Sequence, residues 1–206
     1  RTPMTGVLGL ADILLESELP TVHKDTVHKI KGAGQSLLTI INDILDLSKM
    51  EAGKLEIENI DFDFISVLND AVELVKPKAE EQGLYLSIDT LKTIPQFLKG
   101  DPTRIRQVLI NLVGNAVKFT HEGGITVRAR HENTDAGNFL IRIEVVDTGI
   151  GISNGAQDKL FMDFTQADAS TSRRYEGTGL GLSISKRLTR LMGGGIGVES
   201  EMGEGS

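Results

Sequence analysis

The chain has 206 residues, of which 39% are hydrophobic, and this is enough to fill one large core or two small ones. No stretch approaches the roughly 20 apolar residues that cross a bilayer, and the first residues do not resemble a signal peptide, so a soluble protein is predicted. The absence of cysteine excludes disulfides and thiolate metal sites and is compatible with the cytosol. A net charge of −7 with only 4% aromatic residues argues against a nucleic-acid partner.

Residues 1–53 have the pattern of a helical hairpin. Two apolar stripes at spacings of three and four are separated by a turn at residues 17–21, which contains Pro20. The stripes are Met4, Leu8, Ala11 and Leu15, then Ile30, Gly34, Leu37, Ile41 and Ile44. A lone hairpin cannot bury so wide an apolar face. The pattern therefore predicts a second copy, with a homodimer formed through residues 4–52.

The chain changes character after a linker at residues 54–61. Residues 62–206 alternate between helix and strand patterns, and an α+β domain is predicted for them. Helices are expected at 66–81, 102–119 and 180–192, and strands at 85–89, 124–131, 139–146 and 193–198, with a turn at 133–137. Residues 151–176 have no sustained period, and a connection of this length suggests a functional lid.

Three polar residues recur along the predicted helix that follows Asp101-Pro102. Asn111, Asn115 and Lys118 lie four and three residues apart, so at 100° per residue they fall within about 60° on one face. An amide oxygen suits Mg²⁺ and a lysine suits phosphate. The alternative is an ordinary solvated helix face.

Asp147 ends an apolar strand and enters a Thr-Gly-Ile-Gly turn, in which Gly149 and Gly151 let the backbone approach a ligand closely. A carboxylate at this position can accept a hydrogen bond from an exocyclic amine, which would select adenine over guanine. The alternative is an aspartate that caps a turn.

A second glycine segment, Gly177-Thr-Gly-Leu-Gly181, runs directly into a predicted helix, where the N–H groups and the helix dipole favour a polyphosphate. A flexible hinge is the alternative. A third segment is Gly203-Glu-Gly205. Between the first two lie Phe161 and Phe164, which can anchor a lid, and Arg173 and Arg174, which can reach phosphate, although a plain surface loop would also explain them.

Taken in order, these segments resemble the boxes of sensor histidine kinases of the hybrid type, and the resemblance covers essentially the whole chain. By this resemblance, Asn111, Asn115 and Lys118 form the N box and Asp147, Gly149 and Gly151 the G1 box. Phe161 and Phe164 form the F box, and Gly177, Thr178, Gly179, Leu180 and Gly181 lie in the G2 box. The implied fold is a helical hairpin that pairs into a four-helix bundle, followed by an α/β sandwich with a mixed sheet faced by helices.

The resemblance also implies a reaction and its cofactors. In the family, the γ-phosphoryl group of Mg-ATP passes to a histidine of the first hairpin helix and then to an aspartate of a receiver domain. Asn115, helped by Asn111, would hold Mg²⁺; Lys118 and a lid arginine would meet phosphate, and Asp147 would read adenine. Thr2 matches a position that serves dephosphorylation of the receiver in many members.

Three positions depart from the family pattern. Arg1-Thr2-Pro3 looks like the tail of the His-Glu-x-x-Thr-Pro box, so the acceptor histidine is expected three positions before Arg1. Glu176 stands where glycine is frequent, and the family usually continues beyond Ser206 into a last apolar strand. His23, His28, His121 and His131 match no box. The expectation is a cytoplasmic portion of a longer sensor that contacts a membrane only through its other parts.

Two other functions fit parts of the pattern. One is an ATPase of the same superfamily, such as a chaperone, topoisomerase or mismatch-repair domain, which the helical hairpin and the two-phenylalanine lid disfavour. The other is a pseudokinase scaffold that dimerises and docks a receiver domain without catalysis. The complete set of nucleotide boxes favours the kinase.

Overall fold

The computed structural model describes residues 2–17, 19–91, 93–133, 139–163 and 179–206. The chain divides into two compact units, Arg1–Leu55 and Glu56–Ser206. None of the helices in the described ranges is long and apolar enough to span a membrane.

The first unit is a hairpin of two helices, α1 (Thr2–Glu16) and α2 (Thr21–Glu51), as the two apolar stripes predicted. Gly34 is buried where the two helices pack. A Cβ there would lie 2.9 Å from Leu8 Cδ2 and 3.4 Å from Met4 Cε, so a side chain at this position would crowd α1. Lys31 and Asp12 form an ion pair of 2.6 Å between the helices. The hairpin is thus closed by a small residue at the crossing and a charge pair beside it.

The second unit combines five strands and four helices within the described ranges. In chain order they are β1 (Ile60–Asp63), α3 (Phe64–Glu81), β2 (Tyr85–Thr90), β3 (Phe97–Gly100), α4 (Pro102–Phe119), β4 (Gly124–Asn133), β5 (Phe139–Asp147), α5 (Asn154–Gln157) and α6 (Gly181–Leu191). β1 and β3 form an antiparallel pair. β2, β4 and β5 form a mixed sheet, in which β2 is parallel and β5 antiparallel to β4. The predicted α+β class with a mixed sheet is confirmed.

Two aspartates start the long helices of this unit. Asp63 Oδ1 accepts a hydrogen bond of 2.9 Å from the Ser66 amide at the start of α3. Asp101 Oδ1 accepts one of 3.0 Å from the Arg104 amide at the start of α4, where Pro102 occupies the first turn. Each carboxylate satisfies one of the amides that a helix N-terminus leaves without an intrahelical partner.

The hydrophobic core lies between the sheet and helices α3 and α4. Its fully buried aliphatic side chains include Leu68 and Ala71 of α3, Val113 and Val117 of α4, and Ile125 and Val127 of β4. On α6, Leu188 is also fully buried, and this helix packs against α4. One face of α4 is therefore committed to the core, which leaves its polar face available for a site.

The expected strand at 193–198 is wrong. In this segment Ile196 and Val198 are half-buried and alternate with exposed neighbours, as in a strand, but the residues form no ladder. Within the described ranges no segment pairs with it, and an extended segment without a hydrogen-bonded neighbour is not a strand. The turn predicted at 133–137 lies almost entirely outside the described residues, as does half of the predicted lid at 151–176.

Candidate functional site

The polar face predicted on α4 is present. Asn111, Asn115 and Lys118 all lie on this helix and are half-buried, whereas Val113, Ala116 and Val117 on its other side are buried in the core. Their position follows from the helical period and from the apolar face that packs on the sheet. The three side chains thus occupy a border between core and solvent, where a ligand can approach them.

Asn111 joins α4 to the glycine end of α6. Its Nδ2 donates a hydrogen bond of 2.9 Å to Ser185 Oγ, and Ser185 is 2% exposed. A Cβ on Gly181 would lie 2.3 Å from Asn111 Oδ1, so only glycine leaves room for this amide. Two segments 70 residues apart in sequence, the N and G2 boxes of the resemblance, are therefore in direct contact.

Ser185 was not among the predicted site residues. It lies four positions after Gly181, so the two residues share a face of α6. A small polar residue in a helix whose other buried positions are mostly apolar was the available signal, but nothing local in the sequence identified Asn111 as its partner.

Lys118 lies at the C-terminal end of α4. Its Nζ is 4.9 Å from the centre of the Phe119 ring. Burial, and secondarily the nearby charge of Lys78, lowers the pKa of Lys118 from its usual value. A lysine that is partly desolvated in this way gains more from an anionic ligand than a fully hydrated one does.

Asp147 ends β5 and organises the loop that follows. Its Oδ1 accepts a hydrogen bond of 2.8 Å from the Gly149 amide. Burial raises the pKa of Asp147, and hydrogen bonds from the Gly149 and Ser206 backbone partly offset this. The carboxylate is thus held in one orientation at a cost in solvation, a combination that is frequent at functional sites.

The glycines of this loop allow three backbone segments to meet. A Cβ on Gly149 would lie 2.5 Å from the Phe119 carbonyl oxygen, and one on Gly151 would lie 2.0 Å from the Glu201 carbonyl oxygen. The Ile150 amide donates to the Phe119 carbonyl oxygen at 3.2 Å. The loop after β5 is therefore fixed to the C-terminal end of α4, next to Lys118.

The third glycine segment supports the same loop from the other side. Gly205 has a φ of +104°, and a Cβ there would lie 2.0 Å from the Asp147 carbonyl oxygen. Ser200, which sequence reasoning missed, donates from Oγ to the Gly205 carbonyl oxygen at 2.7 Å and accepts from the Ile152 amide at 2.8 Å. Gly205 thus positions the Asp147 loop, and the Gly203 amide supports the same loop by donating to the Ile150 carbonyl oxygen at 2.9 Å.

An open depression of about 410 Å³ lies beside Asp147. It is lined by Val146, Asp147, Glu199, Ser200, Glu201, Glu204, Gly205 and Ser206. Its four carboxylates make it unsuitable for a polyphosphate, since like charges repel at short range. Phosphate groups are better accommodated on the side of α4 and α6.

The N-terminal end of α6 has the features expected of an anion site. Gly179 has a φ of +70°, Leu180 is buried, and Gly181 begins the helix. Among the described residues, no side chain caps this helix terminus. Its amides and the positive end of its dipole are thus oriented toward the space beside Asn111.

Part of the predicted lid is described. Phe161 lies next to α6, with Lys186 Nζ 5.6 Å from the centre of its ring. Asp163 pairs with Arg187 of α6 through Oδ2 and Nη2 at 2.5 Å. Phe164, Arg173, Arg174, Gly177 and Thr178 lie outside the described residues.

The side chains on the polar face of α4 suit Mg²⁺ better than a metal ion whose ligands all come from the protein. In the part of the chain that the structure describes, no group of three or more His, Cys, Asp or Glu side chains is arranged to hold a metal. Mg²⁺ requires few protein ligands when phosphate oxygens and waters complete its shell, and an amide oxygen such as that of Asn115 is of the type that it takes. The residues present therefore fit a nucleotide-bound Mg²⁺.

The contact between Gly181 and Asn111 yields a prediction. Gly181→Ala places a Cβ against Asn111 Oδ1 and should lower the free energy of unfolding of this unit by about 1–3 kcal/mol, as overpacking does. Gly155→Ala in α5 is the matched control, because no atom lies within 4 Å of a Cβ there. Urea denaturation of both variants measures the effect. Equal stability of the two variants would contradict the close contact.

Comparison with known proteins is consistent with this site. Residues 100–206 match the family described as histidine kinase-, DNA gyrase B- and HSP90-like ATPase, and residues 1–53 match the His Kinase A phospho-acceptor domain. The chain is 46% identical to hybrid signal transduction histidine kinase B of Dictyostelium discoideum, and 48% identical to sensor protein GacS of Pseudomonas syringae pv. syringae. Both alignments cover the whole chain.

The chain spans 10% of the first relative and 23% of the second. Among solved structures, full-length ShkA in complex with AMPPNP is 36% identical with a TM-score of 0.80, over 100% of this chain and 42% of that one. The chain belongs to the histidine kinase-, DNA gyrase B- and HSP90-like ATPase family, and its two domains are those of a hybrid-type sensor histidine kinase core.

Proposed function

We propose that the second unit binds Mg-ATP and transfers its γ-phosphoryl group to a histidine of the hairpin domain, from which it passes to a receiver aspartate. The observation that carries this proposal is the convergence of two segments on α4 through three contacts: Gly181 against Asn111, Ser185 bonded to Asn111, and the Asp147 loop bonded to Phe119. The relatives named as histidine kinases support the same reaction.

Adenine recognition falls to Asp147. Its Oδ1 already accepts a hydrogen bond from the Gly149 amide. The second carboxylate oxygen can accept one from the exocyclic amine of adenine. Guanine presents a carbonyl acceptor at the corresponding position, which an ionised carboxylate repels. Gly149 and Gly151 let the loop that follows Asp147 pack against the Phe119 and Glu201 carbonyl oxygens, which holds the carboxylate in place.

The phosphates would lie at the N-terminal end of α6, in contact with Gly179, Leu180 and Gly181 and near Lys118. Gly177, Thr178 and the arginines Arg173 and Arg174 would complete this region from the lid. Phosphoryl transfer requires chiefly positioning and charge neutralisation, so backbone amides and cations suffice as protein groups. Asn115, with Asn111 beside it, would hold Mg²⁺, which neutralises phosphate charge when bound.

None of the four histidines of the chain lies on α1, the helix that carries the acceptor in the family. His23 and His28 are on α2, and His121 and His131 belong to the ATP-binding unit. The proposed acceptor is therefore the histidine that the resemblance expects three positions before Arg1. Thr2, exposed at the start of α1, would take part in dephosphorylating the receiver.

Dimerisation is proposed for the hairpin through residues 4–52. Five large apolar side chains of this unit, Leu10, Ile13, Ile30, Leu37 and Ile44, are between 44% and 64% exposed. Large apolar side chains that recur along both helices are usually covered in a stable protein, and a second hairpin covers them most simply. The second partner would be a receiver domain.

The alternative function is a scaffold that dimerises and docks a receiver domain without binding nucleotide. The hairpin alone would suffice for that role. It leaves unexplained the close glycine contacts at Asp147 and Asn111, which a scaffold has no need to maintain.

Phosphoryl incorporation from labelled Mg-ATP tests the proposal. The 206-residue chain should remain unlabelled, whereas a chain extended upstream through the expected His-Glu should acquire acid-labile label. Asn115→Ala in the extended chain should reduce this label at least about tenfold, because Mg²⁺ loses a protein ligand and the phosphate charge is less well neutralised. Label in the 206-residue chain would place the acceptor at one of its own histidines. Absence of both label and ATP binding would favour the scaffold.

Replacement of Asp147 tests base recognition. Asp147→Asn keeps the acceptor for the Gly149 amide but loses the charged acceptor for adenine, so ATP affinity at pH 7 should fall roughly 10–100-fold. Affinity of the unsubstituted chain should decrease as the pH is lowered toward the raised pKa of Asp147, and the variant should lack this dependence. Titration calorimetry across the pH range measures both.

The stability of the fold should depend on pH in the direction opposite to that of ATP affinity. Because the folded state raises the pKa of Asp147, it binds the proton more tightly than the unfolded state, and stability falls as the pH rises through this pKa. Asp147→Asn should therefore be at least as stable as the unsubstituted chain at pH 7.

Glu144→Gln, three residues earlier on β5, is the control for the predicted loss of ATP affinity. A loss of affinity as large in the control as in Asp147→Asn would contradict the assignment.

A further inference from the structure

The segment that joins the two units is anchored at both ends. On the hairpin side, Gly53 has a φ of +64°, and the Lys54 amide donates to the Lys49 carbonyl oxygen at 2.9 Å, which closes the end of α2. On the other side, the Glu58 amide donates to Asp101 Oδ2 at 3.1 Å. Only residues 55–57 lie between these two bonds.

Asp101 uses both of its carboxylate oxygens for backbone amides. It is 3% exposed; Oδ1 caps α4 through the Arg104 amide, and Oδ2 holds Glu58, which is 43 residues away in sequence. The β1 and β3 ladder ends beside it, with Ile60 opposite Gly100. A buried carboxylate that is satisfied by two amides from distant segments fixes those segments relative to each other.

We propose that Asp101 is a positioning residue that sets the length of the tether between the hairpin and the ATP-binding unit. At up to 3.6 Å per residue, the four steps from Lys54 to Glu58 span at most roughly 14 Å. Without the bond to Asp101, the first fixed residue becomes Ile60 in β1, and the limit rises to roughly 22 Å. The same carboxylate starts α4, the helix that carries Asn111, Asn115 and Lys118.

The consequence for catalysis rests on the proposed function. Phosphoryl transfer between the two units is an encounter of tethered partners, and the effective concentration of such partners falls as their tether lengthens. Asp101 would therefore support transfer without touching nucleotide or acceptor. A plain helix cap would support only the stability of α4.

Asp101→Asn separates these two roles. The asparagine keeps an oxygen to cap the Arg104 amide and places an NH₂ group opposite the Glu58 amide, where two donors repel. Asp63→Asn is the matched control, because Asp63 also caps a helix through Oδ1 and uses Oδ2 for a second bond, from Gln96 Nε2 at 2.6 Å, but holds no tether residue.

The first measurement is amide hydrogen exchange of the 206-residue chain. Asp101→Asn should raise the exchange rate at Glu58 at least about tenfold, which corresponds to loss of one hydrogen bond to a charged group. ATP affinity should stay within about twofold, and Asp63→Asn should leave Glu58 unchanged. Unchanged exchange at Glu58 in Asp101→Asn, or an equal rise in Asp63→Asn, would overturn the anchor.

The second measurement is the rate of phosphoryl transfer in the chain extended upstream through the acceptor. Asp101→Asn should lower this rate about two- to fourfold at saturating ATP. Insertion of two glycines between Glu56 and Ile57, which leaves Asp101 intact, should lower it similarly and guards against misfolding of the substituted protein. Unchanged transfer in both variants would overturn the positioning role. Absence of label in the unsubstituted extended chain would instead refute the proposed kinase function, while Glu58 exchange still decides the anchor.

Discussion

The second unit depends on backbone segments that approach each other more closely than any side chain permits. A Cβ on Gly151 or Gly205 would lie 2.0 Å from a carbonyl oxygen of a neighbouring segment, and one on Gly149 would lie 2.5 Å from another. These contacts fix the loop after β5 against the end of α4 and the residues near Ser206. This packing places the loop that follows Asp147 next to the end of α4 that carries Lys118.

The close packing has an energetic cost that a purely structural loop would avoid. Burial raises the pKa of Asp147, so its ionised form is less well solvated in the fold than in the unfolded chain. Lys118 is shifted in the corresponding direction for a cation, again chiefly by burial. Under the proposed function, adenine at Asp147 and phosphate at Lys118 would offset both costs when the nucleotide binds.

Local patterns in the sequence predicted the long elements, whereas contacts between distant segments escaped prediction. The Asp101-Pro102 pair marked the start of α4, and the apolar period marked α1 and α2. β1 and β3 were missed because strands of four residues carry little periodic signal and form only by pairing across the intervening helix α3 and strand β2. Ser185 and Ser200 were missed for a related reason, since each is defined by a bond to a partner far away in sequence. The strand predicted at 193–198 is wrong because alternation of half-buried and exposed residues without a paired neighbour does not make a strand.

The Asp147 loop and the α4–α6 contact are proposed to form one adenine-selective nucleotide site. Titration calorimetry of the 206-residue chain with Mg-ATP and with Mg-GTP tests it most directly, because neither the acceptor histidine nor a receiver domain is needed. We predict saturable binding of ATP and at least about tenfold weaker binding of GTP, because guanine cannot donate the hydrogen bond that adenine donates to the Asp147 carboxylate. Equal affinity for the two nucleotides, or binding of neither, would contradict the claim.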